Sequence, residues 1–205
     1  MRRPRLLVAT HSPHKLAELR ALLELPATEL VGLEELGIAE DAPEPFDSFE
    51  QNAMAKARFY APLAGLATLA DDSGLEVDAL DGGPGVRTRR YAGEHATDDE
   101  NNARLLAELE GVPPERRTAC YRCLLAYVGP LPGDAPLARD GTLEGRIAAA
   151  PRGIGGFGYD PIFEPLTEPV GGRTVAQMSA EEKNRISHRG QAARRMAEAL
   201  RSQGY

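Results

Sequence analysis

Arg5-Leu-Leu-Val-Ala-Thr-His-Ser-Pro-His-Lys15 is the stretch on which the fold turns. Its first half, RLLVAT, is short and apolar, as a buried strand is. Ser12-Pro13 then opens a helix, because Ser caps helices and Pro suits their first position. Leu16, Leu19, Leu22 and Leu23 give that helix one apolar face, and Pro26 ends it. A strand followed at once by a helix is the start of an α/β pattern.

The rest of the chain extends the pattern outward. A short strand is expected near residues 29–33, then a polar, Pro-rich loop through Phe46. Ser48 to Gln51 is a capping box for a second helix carrying Asn52, Ala53, Lys56 and Ala57. Leu66 to Ala70 reads as a second buried strand, ending at Asp71-Asp72-Ser73-Gly74. Residues 81–93 are rich in turn formers. Thr97 to Glu100 caps a helix lined by Leu105, Leu106 and Leu109. Two longer strands run through 118–128 and 137–148, joined by a Pro/Gly loop, and a Gly-rich loop spans 152–158. Ser179 to Glu182 caps a short helix, and Ser187 caps the last, through Arg201. The expected fold is one α/β domain over residues 1–205, a mixed sheet with helices on its faces.

Composition narrows the function classes. A formal charge of −7 disfavours non-specific binding to nucleic acid, while leaving room for a local basic cleft. No 18-residue apolar run is present, so no membrane span is expected. The basic start Met1-Arg2-Arg3-Pro4-Arg5 precedes too short an apolar stretch for a signal peptide, which points to the cytoplasm. Cys120 and Cys123 sit in an apolar strand, on opposite faces, and read as ordinary buried thiols. The 24 basic residues include only three lysines, Lys15, Lys56 and Lys183. Where arginine is so favoured, a lysine can mark a need for a compact ammonium.

Four segments carry candidate chemistry. The turn Val8 to Lys15 offers a helix N-terminus, an ammonium and the hydroxyls of Thr10 and Ser12, all suited to phosphate. It is not a Walker A loop, since no Gly-Lys pair occurs in the chain. Asp71-Asp72 at a strand's carboxyl end can hold Mg²⁺, which takes one or two carboxylates plus substrate phosphates. Gly153 to Gly158 formally matches the dinucleotide fingerprint, but Tyr159-Asp160-Pro161 prevents a helix from opening there. Such a loop can still hold a base against Phe157. In Glu181 to Arg189, Lys183, His188 and Arg189 can face a cleft, the last two at a helix break. His11 and His14 beside the first turn are expected to be exposed.

In order and spacing these stretches resemble the inosine triphosphate pyrophosphatase family, also called XTP/dITP pyrophosphatases. The resemblance runs from about Leu6 to Ala199. It rests on Ala9-Thr10 to Lys15, Phe49 to Lys56, ADDSGLEV at 70–77, Gly83 to Val86 with Arg90 to Gly93, FGYDPIF at 157–163 and Glu182 to Arg189. It implies an elongated, mixed, twisted sheet with helices on both faces and two lobes flanking a nucleotide cleft. It also implies Mg²⁺ dependence and a homodimer acting on purine nucleoside triphosphates. By resemblance Asp72 is the catalytic acid/base and a metal ligand, with Asp71 in support. Thr10, His11, Ser12, Pro13, His14, Lys15 and Ser73 would hold phosphates. Phe157, Gly158, Tyr159, Asp160, Lys183, His188 and Arg189 would hold the nucleotide, His188 and Arg189 near the purine carbonyl. A second acidic metal residue is expected before Phe49, with Glu44 the nearest.

The first loop departs from the family pattern, Thr-Gly-Asn-x-Gly-Lys. Here His11 and His14 replace glycines and Ser12 replaces asparagine. Two other readings stay open from sequence: a nucleotide pyrophosphatase of different base preference, and a non-enzymatic nucleotide sensor.

Overall fold

The computed structural model describes residues 3–131 and 133–205. Met1 and Arg2 of the basic start, and Pro132 of the loop between the long strands, lie outside the described residues. The fold is mixed α/β. A seven-stranded sheet has the order β2-β1-β3-β5-β6-β7, with β4 on β3. The strands are β1 Arg5–Ala9, β2 Glu29–Gly32, β3 Ala67–Val77, β4 Pro84–Gly85, β5 Thr118–Val128, β6 Leu137–Ile147 and β7 Phe163–Pro165. β1 pairs in parallel with β2 and β3, whereas β3–β4 and β6–β7 are antiparallel. The α-helices are α1 Pro13–Leu22, α2 Phe49–Ala64, α3 Asp98–Glu108, α4 Ala180–Ile186 and α5 His188–Arg201. No helix among the described residues is long and apolar enough to cross a membrane.

The chain divides into two compact units. The first comprises residues 1–72, 123–141 and 189–205; the second comprises 73–122 and 142–188. In the first unit, β1, α1 and β2 form one parallel crossover, and α2 leads into β3 on the other side of β1. Strand alternation splits the core of this unit in two. Leu6, Val8, Ala67 and Leu69 pack with Leu19 of α1 and with Ala192, Ala193 and Met196 of α5. Leu7, Ala9 and Ala70 pack instead with Ala53, Ala57 and Tyr60 of α2. Helices therefore cover both faces of the parallel strands, which suits their near-continuous apolar sequence. The second unit has its own core, where Leu105 of α3 and Leu109 just after it meet Leu75, Val77, Tyr121, Ile162 and Phe163.

Three differences from the expected elements bear on the site. β3 does not end at Ala70 but runs through Asp71-Asp72-Ser73-Gly74 to Val77. The acids therefore stand inside a strand, just beyond Ala70, the last residue of β3 paired with β1. Asp71 is tolerated there because side chains of distant elements meet its carboxylate, which local pattern does not show. Second, α1 ends at Leu22, before Pro26 is reached. Third, Ser187 closes α4 with extended backbone, and its N–H donates to the Lys183 carbonyl at 2.8 Å. α5 begins directly at His188, so this serine separates two helices rather than only starting one.

Candidate active site

In the first unit, alternation along β3 sends its two acids in opposite directions. Asp71 shares the parity of Ala67 and Leu69 and points toward α1 and α5. Its carboxylate is closed from solvent and ringed by donors. Lys15 Nζ of α1 donates to Oδ1. Arg189 Nε, from the first turn of α5, donates to Oδ2 at 3.0 Å, and Cys123 Sγ donates to the same oxygen at 3.2 Å. Arg189 itself is buried and reaches on to Glu18, donating from Nη1 to Oε2 at 2.6 Å. Burial raises the Asp71 pKa, but Arg189 and Lys15 overcome it and hold the carboxyl well below the usual range. The same burial, with the charge of Asp71 beside it, pushes the Cys123 thiol well up, so this cysteine stays protonated.

Asp72 has the parity of Ala70 and lies toward the α2 side. Its Oδ2 is buried and meets no hydrogen-bond donor among the described residues. Burial pushes its pKa up to about 6, opposed by the charges of Lys56 and Lys15 and reinforced by Glu44 and Asp71. Lys56 of α2 donates to the Asp71 carbonyl oxygen at 3.0 Å and pairs with Glu44 at 2.5 Å. Burial lowers the Lys56 pKa, but Glu44 and Asp72 outweigh it and keep the ammonium charged. A buried carboxylate oxygen without a donor is costly unless something else is meant to meet it. A hard divalent cation fits that need, since Mg²⁺ is bound through one or two carboxylates plus substrate phosphates. Among the described residues no group of three or more His, Cys, Asp or Glu is placed to hold a metal ion, so such a cation would depend on substrate phosphates as well.

The turn before α1 keeps a regular backbone in spite of its histidines. Ser12 caps α1 by accepting from the Lys15 N–H at 3.3 Å, and its own N–H donates to Thr10 Oγ1 at 3.1 Å. Asp81 is the only non-glycine with positive φ among the described residues, so His11 and His14 occupy ordinary conformations. Pro13 and His14 are exposed, as expected for His14. His11 departs from that expectation. It is half-buried, with Nε2 3.0 Å from the Glu40 carbonyl oxygen and 3.2 Å from the Tyr60 hydroxyl. An imidazole carries a polar edge that this pocket satisfies, whereas the glycine of the family pattern carries none.

The second unit assembles another constellation around Asp160. Lys183 Nζ donates to Asp160 Oδ2 at 2.6 Å, and the Phe157 N–H donates to the same oxygen at 2.9 Å. The Lys183 ammonium lies 4.6 Å from the centre of the Phe157 ring, within cation–π range. Gly156 is required by this packing. Its φ is +72°, and a Cβ there would stand 2.0 Å from Asp160 Oδ2. Gly158 is held from α3, its N–H donating to Asp98 at 2.6 Å and its carbonyl accepting from Asn102 at 3.0 Å. Tyr159 is buried, with its hydroxyl donating to the Thr88 carbonyl at 2.8 Å. His188 stacks on Tyr121, and Ser73 is half-buried in this unit.

Phe157, Gly158, Tyr159, Asp160 and Lys183 are thus brought together, as are Lys15, Asp71 and Arg189. Arg189, expected beside His188 at the base, is buried and donates to Asp71 and Glu18. A buried guanidinium must find counter-charges, and these two carboxylates supply them. Sequence reasoning did not single out Glu18, Tyr121, Asp98 or Asn102. Glu18 sits one helical turn after Lys15, a spacing that could have drawn attention to it. The others carry no local signal.

A model of the Ham1 family matches residues 6–199. The chain is 48% identical over 201 residues to a dITP/XTP pyrophosphatase of Geobacter sulfurreducens, covering 98% of each chain. It is 41% identical to a dITP/XTP pyrophosphatase of Bacillus subtilis, covering 95% of this chain and 96% of that one. The structure of a HAM1 protein from Coxiella burnetii superposes with a TM-score of 0.86 at 40% identity, covering 97% and 99%. A nucleoside-triphosphatase / dITP/XTP pyrophosphatase from Mycobacterium abscessus gives 0.74 at 45% identity, covering 96% and 98%. Matched along nearly its whole length in both sequence and fold, the chain belongs to the Ham1 family.

Proposed function

We propose that the protein hydrolyses deaminated purine nucleoside triphosphates (dITP, XTP and ITP) to the monophosphate and pyrophosphate. The observation that carries the reading is Asp72, a buried carboxylate whose Oδ2 has no donor, in a chain whose relatives are dITP/XTP pyrophosphatases. Asp72, with Glu44, would hold Mg²⁺, whose role when bound is to neutralise phosphate oxygens. Asp72 also orients the attacking water and accepts its proton. The water oxygen bonds to phosphorus as the bridging P–O bond breaks, and pyrophosphate leaves with that electron pair. Lys15 offers three N–H donors, of which Asp71 takes one, so the ammonium can also meet phosphate. Thr10, Ser12 and the N-terminus of α1 serve the same polyanion.

The second constellation takes the nucleoside. Phe157 presents a ring to the base while Lys183 supplies positive charge from beneath it. His188 donates to the six-carbonyl of hypoxanthine or xanthine, which adenine replaces with an amino group. Arg189 acts through Asp71, keeping that carboxylate charged and Lys15 in place. The enzyme works as a homodimer, a reading supported by the family resemblance alone and checked by sedimentation. The deciding experiment is hydrolysis of dITP, XTP, ITP, ATP and GTP with and without Mg²⁺. Preference for the first three, lost on chelation, supports the proposal; turnover of ATP at the same rate refutes it.

A further inference from the structure

We infer that Tyr121 is a positioning residue for purine selection, acting as the platform that fixes the imidazole of His188. The inference rests on the proposed purine reading and adds a residue to it. Tyr121 lies on β5, buried, in the middle of the second unit. Its ring is nearly parallel to His188, with centroids 4.7 Å apart and planes 10° from each other. It also packs against Phe163, with centroids 4.5 Å apart and planes tilted by 40°. Its hydroxyl reaches Asp160 Oδ1 at 3.4 Å, the carboxylate that holds both Lys183 and the Phe157 backbone.

The geometry matters because a hydrogen bond from an imidazole N–H lies in the ring plane. The outer side-chain torsion of histidine is broad, so the plane is not set by the residue itself. A flat neighbour at stacking distance removes that freedom, and the N–H then points one way before substrate arrives. Preorganisation of this kind favours the ligand with an acceptor in the right place over one without. Tyr121 touches no reacting atom in this account. It connects the group that reads the carbonyl with the carboxylate that shapes the Phe157 loop.

The test compares kcat/KM for ITP and ATP in wild type, Tyr121→Leu, Tyr121→Phe and His188→Ala. Tyr121→Leu is expected to lower the ITP/ATP ratio about three- to tenfold, chiefly through the KM for ITP, on the scale of one aromatic stack. Tyr121→Phe, which keeps the ring, is expected to restore the ratio. An unchanged ratio in Tyr121→Leu, with a lowered ratio in His188→Ala, overturns the role of Tyr121 and leaves the purine reading standing. An unchanged ratio in His188→Ala overturns both. If Tyr121→Leu does not fold, the His188 ring-proton resonances of wild type and Tyr121→Phe decide. Upfield ring-current shifts shared by both proteins support the platform; resonances at the positions of a free imidazole contradict it.

Discussion

Asp71 and Asp72 are consecutive residues of one strand, yet their carboxylates lie in opposite electrostatic states. Asp71 is held well below the ordinary carboxylate range by Arg189 and Lys15, against the effect of its burial. Asp72 is pushed up to about 6 by burial, and its Oδ2 has no donor. The cause is the strand's period of two, which gives one acid to α1 and α5 and the other to the α2 side. Two adjacent acids in different environments are a means of separating structural from chemical roles. The first predictions follow from that separation.

Metal-free stability should depend on Asp72 in a defined pH window. Its folded pKa, about 6, is above the ordinary 3.8, so the fold prefers the protonated acid. Its contribution is therefore fully present below the ordinary value and is lost as pH rises through about 6. Asp72→Asn escapes that loss. In chelator, the mutant should match wild type near pH 4 and exceed it at pH 8 by on the order of 2 kcal/mol. Mg²⁺ should close the gap by binding wild type alone. Urea denaturation at both pH values checks this, and a pH-independent gap would contradict it.

Loss of the partner acid should have the opposite sign. Asp71→Ala leaves the buried Arg189 without its Nε partner and Lys15 without its carboxylate. Removing one member of a buried pair costs about 3–5 kcal/mol. The denaturation midpoint should fall accordingly at pH 7, with or without Mg²⁺. A midpoint within experimental error of wild type would show that the network holds nothing together.

The adjacent residues His188 and Arg189 should separate in a substrate comparison. His188→Ala should lower the ITP/ATP ratio of kcat/KM about five- to hundredfold, the scale of one buried unpaired polar group. Arg189→Ala should lower kcat/KM for both substrates together and destabilise the fold, because its guanidinium binds Asp71 and Glu18. A selective loss on ITP in Arg189→Ala would return that side chain to the base.

His11→Gly restores the family's residue but removes contacts to the Glu40 carbonyl and the Tyr60 hydroxyl. It also frees the backbone. We expect a loss of stability of about 1–2 kcal/mol, measured by urea denaturation. A gain in stability would mean that the imidazole strains the loop.

Much of the architecture was legible in the sequence because its signals are local. Ser12-Pro13, Ser48 and Thr97 each mark a helix start that the structure contains. The two longer strands expected at 118–128 and 137–148 fold with nearly those bounds. The end of β3 was misread because two adjacent acids resemble a polar turn when the partners of Asp71 are unseen. Those partners lie far away in sequence; Arg189 is 118 residues from Asp71. The same distance explains Arg189, whose place beside His188 in sequence says nothing of where its side chain goes. Tyr121 was invisible as a functional candidate for a related reason. In an apolar strand it reads as core, which it also is.

The central claim is that Asp72 carries pyrophosphate-releasing hydrolysis of a deaminated purine triphosphate. The most direct test is product analysis of dITP turnover with Mg²⁺ by wild type and Asp72→Asn. The account predicts deoxyinosine monophosphate and pyrophosphate in equal amounts from wild type. It predicts a rate lower by about 10²- to 10⁴-fold in the mutant, the usual contribution of a positioned base. A nucleoside diphosphate as first product, or near-normal turnover by Asp72→Asn, would contradict it.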